Sequence, residues 1–97
     1  MKFSKNEGQY IVGCLESALE EAMEYEWETE YNDYWNVKNK YEEVCNEDWS
    51  CEYDFSNEEL NIINIALTEQ LQGLSEGDFE YIAINKIIDR IERNNRL

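Results

Sequence analysis

The sequence predicts a mostly α-helical single domain of four helices, the last two closed into a hairpin. Three observations point there: apolar residues recur at helical spacing in several long windows, Ser-x-x-acid signatures precede two of those windows, and no proline interrupts any of them. The helices are expected near residues 7–31, 33–47, 57–72 and 76–93.

In the first helix Ile11, Cys14, Leu15, Ala18, Leu19, Ala22 and Tyr25 form one apolar stripe, while Glu16, Glu20, Glu21, Glu24 and Glu28 cover the rest of the cylinder. Its end is ambiguous. Residues 24–31, EYEWETEY, alternate carboxylates with aromatics as a half-buried strand would, and residues 49–55 of DWSCEYDF alternate the same way. The alternative architecture is therefore α+β, with short strands at 24–31 and 49–55. Glu is disfavoured in strands and no turn residue precedes residue 24, so helix is carried through residue 31.

Asn32 and Asp33 are the expected caps of the second helix, whose buried face is Tyr34, Val37, Tyr41, Val44 and Cys45. Residues 49–55 follow as an extended connector or short strand. The third helix has the clearest start: Ser56-Asn57-Glu58-Glu59 reads as a capping box, Phe55 and Leu60 stand at the flanking staple positions, and Leu60, Ile63, Leu67 and Leu71 form the stripe, helped by Ile62 and Ala66. Gly73 is the expected C-terminal cap, with Leu74 folding back. Ser75 then caps the fourth helix, with Asp78 at its third position. Phe79, Ile82, Ala83, Ile87 and Ile91 are its expected core residues, Ile84 and Ile88 widening the stripe. Arg90, Arg93 and Arg96 crowd its end, where cations complement the helix dipole and can pair with Asp89 and Glu92.

Charge is the dominant compositional feature. Asp and Glu outnumber Lys and Arg by 23 to 8, a net charge of −15 on 97 residues. Self-repulsion of that size destabilises a compact state, and solubility needs far less. The chain is nevertheless 42% apolar and carries thirteen aromatics, which excludes a fully disordered acidic tail. The charge is also uneven. Residues 1–55 hold fifteen acids and four bases, residues 56–97 eight acids and four bases, and only Lys38 and Lys40 oppose the fourteen acids from Glu16 to Asp54.

Chemistry-bearing motifs are absent. The chain has no His and no phosphate-loop, dinucleotide or nucleophile-elbow pattern, so no enzymatic activity and no cofactor are expected. Cys14, Cys45 and Cys51 are odd in number, lack metal-ligand spacing and are read as free thiols. The acidic stretches have no internal Gly, which excludes an EF-hand loop. No apolar run approaches a membrane span, and the opening MKFSKNEGQY has no apolar secretion core. A cytoplasmic protein without membrane contact is the expectation.

Carboxylates this dense match the charge spacing of a nucleic-acid duplex, about one per 1.7 Å of axis, and can occupy clefts lined with Lys and Arg. The expected partner-binding face centres on residues 24–54. Glu24, Glu26, Glu28, Glu30 and Asp33 supply the field at one end, and Glu42, Glu43, Glu47, Asp48, Glu52 and Asp54 continue it. Trp27, Tyr31 and Trp35 supply anchoring contacts, since Trp and Tyr are preferred interface residues and stack on guanidinium groups. Tyr25, Tyr34 and Tyr41 are assigned to the core.

In size, charge, acid–aromatic mixing and its AT-rich use of eleven Asn and nine Ile, the whole chain resembles the small acidic inhibitors that phages and mobile elements encode against host defences, among them DNA-mimicking anti-restriction and anti-CRISPR proteins. The resemblance assigns no individual residue. It implies an inhibitor of a basic nucleic-acid-binding host protein, such as a CRISPR effector or restriction enzyme, located in the host cytoplasm and binding no nucleic acid itself. The alternative is a small acidic adaptor or regulatory protein that binds a basic protein surface without mimicry.

Overall fold

The computed structural model describes residues 1–94 and consists of four helices: α1 (Lys5–Glu24), α2 (Glu28–Val44), α3 (Asn57–Leu71) and α4 (Phe79–Asn94). The chain is thus mostly helical, as predicted, and no strand forms among the described residues. The alternative strand pairing is absent. Residues 24–31 divide between the end of α1, a corner and the start of α2, and Cys51 pairs instead with Phe3 in an isolated antiparallel bridge, with N–H to O distances of 2.8 and 2.9 Å.

The helix starts follow local hydrogen bonding. At α1 the Glu7 backbone N–H donates to Ser4 Oγ (3.2 Å) and the Ser4 N–H to Glu7 Oε1 (2.9 Å), a capping box that starts the helix two residues before the predicted boundary. The Ser56–Glu59 box forms where predicted, at 3.1 and 2.8 Å, with Phe55 and Leu60 both buried beside it. Ser75 does not cap a helix. Its N–H donates to Asp78 Oδ2 (3.1 Å), but the Asp78 N–H returns to the Ser75 carbonyl (2.9 Å), closing a turn, and α4 begins only at Phe79. Gly73 is not a left-handed cap either, because no glycine in the described residues has positive φ. Instead α3 tightens through successive i→i+3 bonds from the Gln72, Gly73 and Leu74 N–H groups at 3.0–3.2 Å.

The largest departure is at the end of α1. The predicted helix runs to residue 31; the observed one stops at Glu24 in a Schellman motif, in which the Trp27 N–H donates to the Ala22 carbonyl (2.8 Å) and the Glu26 N–H to the Met23 carbonyl (3.4 Å). Glu26 holds the left-handed position, φ 58°, that glycine usually fills. Trp27 passes the chain straight into α2, its carbonyl accepting from the Tyr31 N–H (2.9 Å), so Asn32 and Asp33 lie inside α2 and cap nothing. At its far end α2 stops at Val44, three residues before the expected boundary.

One core joins all four helices, and the radius of gyration, 12.7 Å, is that of a single small globule of this length. Ile11, Leu15, Leu19 and Ala22 of α1 pack with Tyr34, Val37 and Tyr41 of α2, Leu60, Ile63 and Leu67 of α3, and Ile84, Ile87 and Ile91 of α4. Tyr41 is fully buried. Its ring stacks on Phe55 with centroids 5.5 Å apart, a pairing that typically adds about 0.5–1.5 kcal/mol beyond area burial, and its hydroxyl donates to the Trp49 carbonyl (3.0 Å). That carbonyl lies so close to Gly8 that a Cβ there would stand 1.8 Å from its oxygen.

Two stripe assignments change. Tyr25 is exposed, because α1 ends before its phase would carry it inward. In α4 the buried residues are Ile84, Ile87, Ile88 and Ile91, whereas Phe79 is 79% exposed and Ile82 is exposed too. Residues 84, 87, 88 and 91 satisfy helical spacing as well as the predicted set, and the late start of α4 leaves its first turn at the edge of the core. Arg93 pairs with Asp89 (2.7 Å) as expected; Arg90 reaches across to Glu7 and to the Lys2 carbonyl (2.9 Å). Arg96 lies outside the described residues.

Candidate functional site

The Schellman corner presents aromatic and acidic residues of the 24–31 alternation together. Met23, 63% exposed, Trp27, 41% exposed, and the half-buried Tyr31 wall an open groove of about 620 Å³, floored by Ala22. Glu26, Glu28 and Asn32 complete its lining. Trp27 stacks on Tyr25 with centroids 5.2 Å apart, and one helical turn along α2 Tyr31 stacks on Trp35 at 6.3 Å with planes 9° apart. These pairs hold the rings in fixed orientations while leaving much of their surface to solvent.

Glu24, Glu26, Glu28, Glu30 and Asp33 surround this groove in sequence, all exposed, and none forms an ion pair among the described residues. Of these, Glu28 and Glu30 lie in the first turn of α2, where the helix dipole favours anions. The last turns of α1, α2 and α3 contain no base, whereas Glu21 and Glu24 stand at the end of α1 and Glu42 and Glu43 at that of α2, where the dipole disfavours anions.

Helix packing extends the field to acids that sequence reasoning left out. Glu69 of α3 has its carboxyl pushed up by partial burial and by the neighbouring charges of Glu21 on α1 and Glu30 on α2. The Tyr34 hydroxyl between these elements is pushed up to about 12, first by burial and then by Glu69, Glu30, Glu21 and Asp33. Three helices therefore converge carboxylates on one end of the molecule. Nothing in the local sequence of α3 marks Glu69 as a member; it is brought there by the packing of α3 against α1 and α2.

The remaining candidate acids occupy a different place. Glu43 lies roughly 22 Å along the α2 axis from Glu28. Around it, half of the six candidate acids are engaged in ion pairs or hydrogen bonds. Glu42 pairs with Lys38 (3.0 Å), whose ammonium also approaches Glu16 (4.0 Å). Asp48 accepts from the Ser50 N–H (3.0 Å) and hydroxyl (2.6 Å), which keep its carboxyl below the usual range. Asp54 accepts from the N-terminal ammonium (2.9 Å), with the same effect. Glu43, Glu47 and Glu52 are exposed and without an ion pair among the described residues. Lys40 sits over the Tyr53 ring, 4.8 Å from its centroid, so both lysines of this segment also belong to this end. The predicted face thus resolves into an uncompensated aromatic corner and a partly neutralised loop.

The thiols offer no comparable centre. Cys14 and Cys51 are buried, with burial and Glu80 pushing the Cys14 thiol up to about 12, far from the thiolate form that binds metals or attacks substrates. Among the described residues no cluster of Cys, Asp or Glu is arranged to hold a metal ion, and no helix is long and apolar enough to cross a membrane. Comparison of the whole chain with protein-family models, with curated proteins and with solved structures finds no match to any of them.

Proposed function

We propose that the protein is an inhibitor of the anti-restriction or anti-CRISPR kind, which occupies the basic nucleic-acid-binding cleft of a host protein by presenting carboxylates where phosphates would bind. The observation that supports this reading best is the α1–α2 corner: five exposed carboxylates within ten residues, free of ion pairs among the described residues, beside exposed stacked aromatics. Such an arrangement costs stability through like-charge repulsion and exposed apolar area, and it matches what a Lys- and Arg-lined cleft recognises.

The test is capture followed by competition. The tagged protein is used to isolate partners from bacterial lysate, and each purified partner is titrated with labelled duplex in the presence of the chain. The expected outcome is displacement of the duplex, lost when Glu26, Glu28, Glu30 and Asp33 are together replaced by Lys. A partner that holds the duplex and the chain at once overturns mimicry and favours the adaptor reading. The chain alone is expected to shift no duplex in a gel at physiological salt.

A further inference from the structure

We propose that the groove at the α1–α2 corner is an arginine-binding site, receiving a guanidinium carried on an exposed basic segment of the partner, with Glu26 held in its left-handed conformation to keep a carboxylate at the groove. The inference rests on the reading that the acidic end meets a basic partner, and it specifies how that partner is held.

Two properties of the groove select the occupant. Its surroundings are anionic: Glu26 and Glu28 line it, and Glu24, Glu30 and Asp33 flank them, with no cation paired to any of the five among the described residues. Its walls are apolar and aromatic, Met23, Trp27 and Tyr31, with the Asn32 amide as a polar contact. A lysine ammonium satisfies the first property and is penalised by the second, since it is a strongly hydrated point charge. A guanidinium satisfies both, because it is planar, weakly hydrated, stacks on aromatic faces and presents a fork of donors to carboxylates. The space, about 620 Å³ and open to solvent, admits such a side chain together with its flanking backbone.

The backbone at Glu26 accords with this. Left-handed geometry is unfavourable for any residue with a Cβ, and Gly is the usual occupant of this position in a Schellman motif. Retaining Glu there keeps a carboxylate at the groove at the expense of local stability, a pattern found where strain serves a site.

The experiment titrates the full chain with two short peptides of equal length and charge, one built on arginine and one on lysine, at low and at near-physiological salt. The expected result is roughly tenfold tighter binding of the arginine peptide, as a partly desolvated cation–π contact supplies, with the preference persisting as salt rises. Trp27→Ala should reduce the preference to within about twofold while leaving lysine-peptide binding nearly unchanged. Glu26→Gly, which is expected to melt higher than the parent, should also lose it, so that loss of binding is separated from loss of fold; Glu26→Gln supplies a second variant with the side chain retained. Equal affinity for the two peptides, binding of neither, or a preference that survives Trp27→Ala overturns the inference. If the chain still displaces duplex from a captured partner in any of those cases, the inhibitor reading stands and only the arginine site falls. If arginine is preferred and duplex is not displaced, the reverse holds.

Discussion

The two tight helix connections of this protein use glycine in opposite ways. The α3–α4 connection contains Gly73 and Gly77, neither has positive φ, and a Cβ at either would meet nothing closer than 3.8 Å. The α1–α2 corner requires one left-handed residue and places Glu26 there. The other left-handed residue of the described chain, Trp49, also lies in the acidic segment, in the loop after α2. Where the backbone would welcome glycine, the chain keeps a carboxylate and an aromatic; where glycine is optional, it is present. Stability alone favours the opposite assignment, which is the outcome the proposed binding role of the corner would explain, and the hairpin serves as the control.

The sharpest glycine contrast is within the fold itself. Gly8→Ala is expected to cost about 3 kcal/mol or more, because the added methyl meets the Trp49 carbonyl and the Tyr41 hydroxyl, and a backbone oxygen cannot swing aside as a flexible side chain can. Gly77→Ala, facing open space, should change stability by less than about 1 kcal/mol in either direction. Chemical denaturation of both variants checks the pair. Comparable losses in the two would mean that α1 and the 46–50 loop do not meet as described.

The corner itself is tested by Glu26→Gly. Relief of the left-handed backbone and removal of one repelling charge should together raise stability by roughly 1 kcal/mol, although glycine is ordinarily a destabilising substitution. The same change at Glu24, the last residue of α1, should lower it by about 0.5–1 kcal/mol. Thermal melts of the two variants should therefore move in opposite directions; movement in the same direction would remove the argument that Glu26 is retained against stability.

How much of this was legible in the sequence follows the range of the interactions. The Ser56–Glu59 box and its staple were readable because every partner lies within six residues, and Ser56→Ala is expected to cost about 1 kcal/mol by leaving the Glu59 N–H without its acceptor. Unaltered melting of that variant would contradict the cap. The Ser4–Glu7 box is equally local, but the apolar stripe that would announce its helix begins only at Ile11. The break after Glu24 gave no signal of the usual kind: no Gly, Asn or Pro stands in residues 24–28, and the stop is made by main-chain bonds from Trp27 and Glu26 to Ala22 and Met23. Helical phase carried past that point sets Trp27 opposite the apolar stripe, and it is exposed, but sets Tyr25 within the stripe, and it is exposed as well. The groove and the convergence of Glu21, Glu30 and Glu69 depend on how α1, α2 and α3 cross, and no window of residues along the chain encodes that.

Glu69 yields the smallest expected effect and the one that best separates charge from backbone. Its carboxyl is pushed up from an ordinary value of 4.5 by burial, Glu21 and Glu30, so the folded protein holds that proton more tightly than the unfolded chain. The group's contribution is fully present when it is neutral, below the unfolded value, and is lost as pH rises through the higher folded value; acidification from neutral toward that range should stabilise the fold. Glu7 runs the other way. Burial alone would raise its carboxyl, but Arg90 and the Ser4 N–H outweigh burial and hold it low, so its contribution is present above 4.5 and disappears as pH falls through its depressed value. Melting temperature should accordingly pass through a maximum on the acid side of neutral. Glu69→Gln should melt above the parent at neutral pH and level with it once Glu69 is protonated, flattening the neutral limb only, whereas Glu7→Gln should lower melting at neutral pH and flatten the acid limb. If Glu69→Gln melts below the parent at neutral pH, the three helices do not gather their carboxylates at one end. The acidic corner would then have to be explained by α1 and α2 alone.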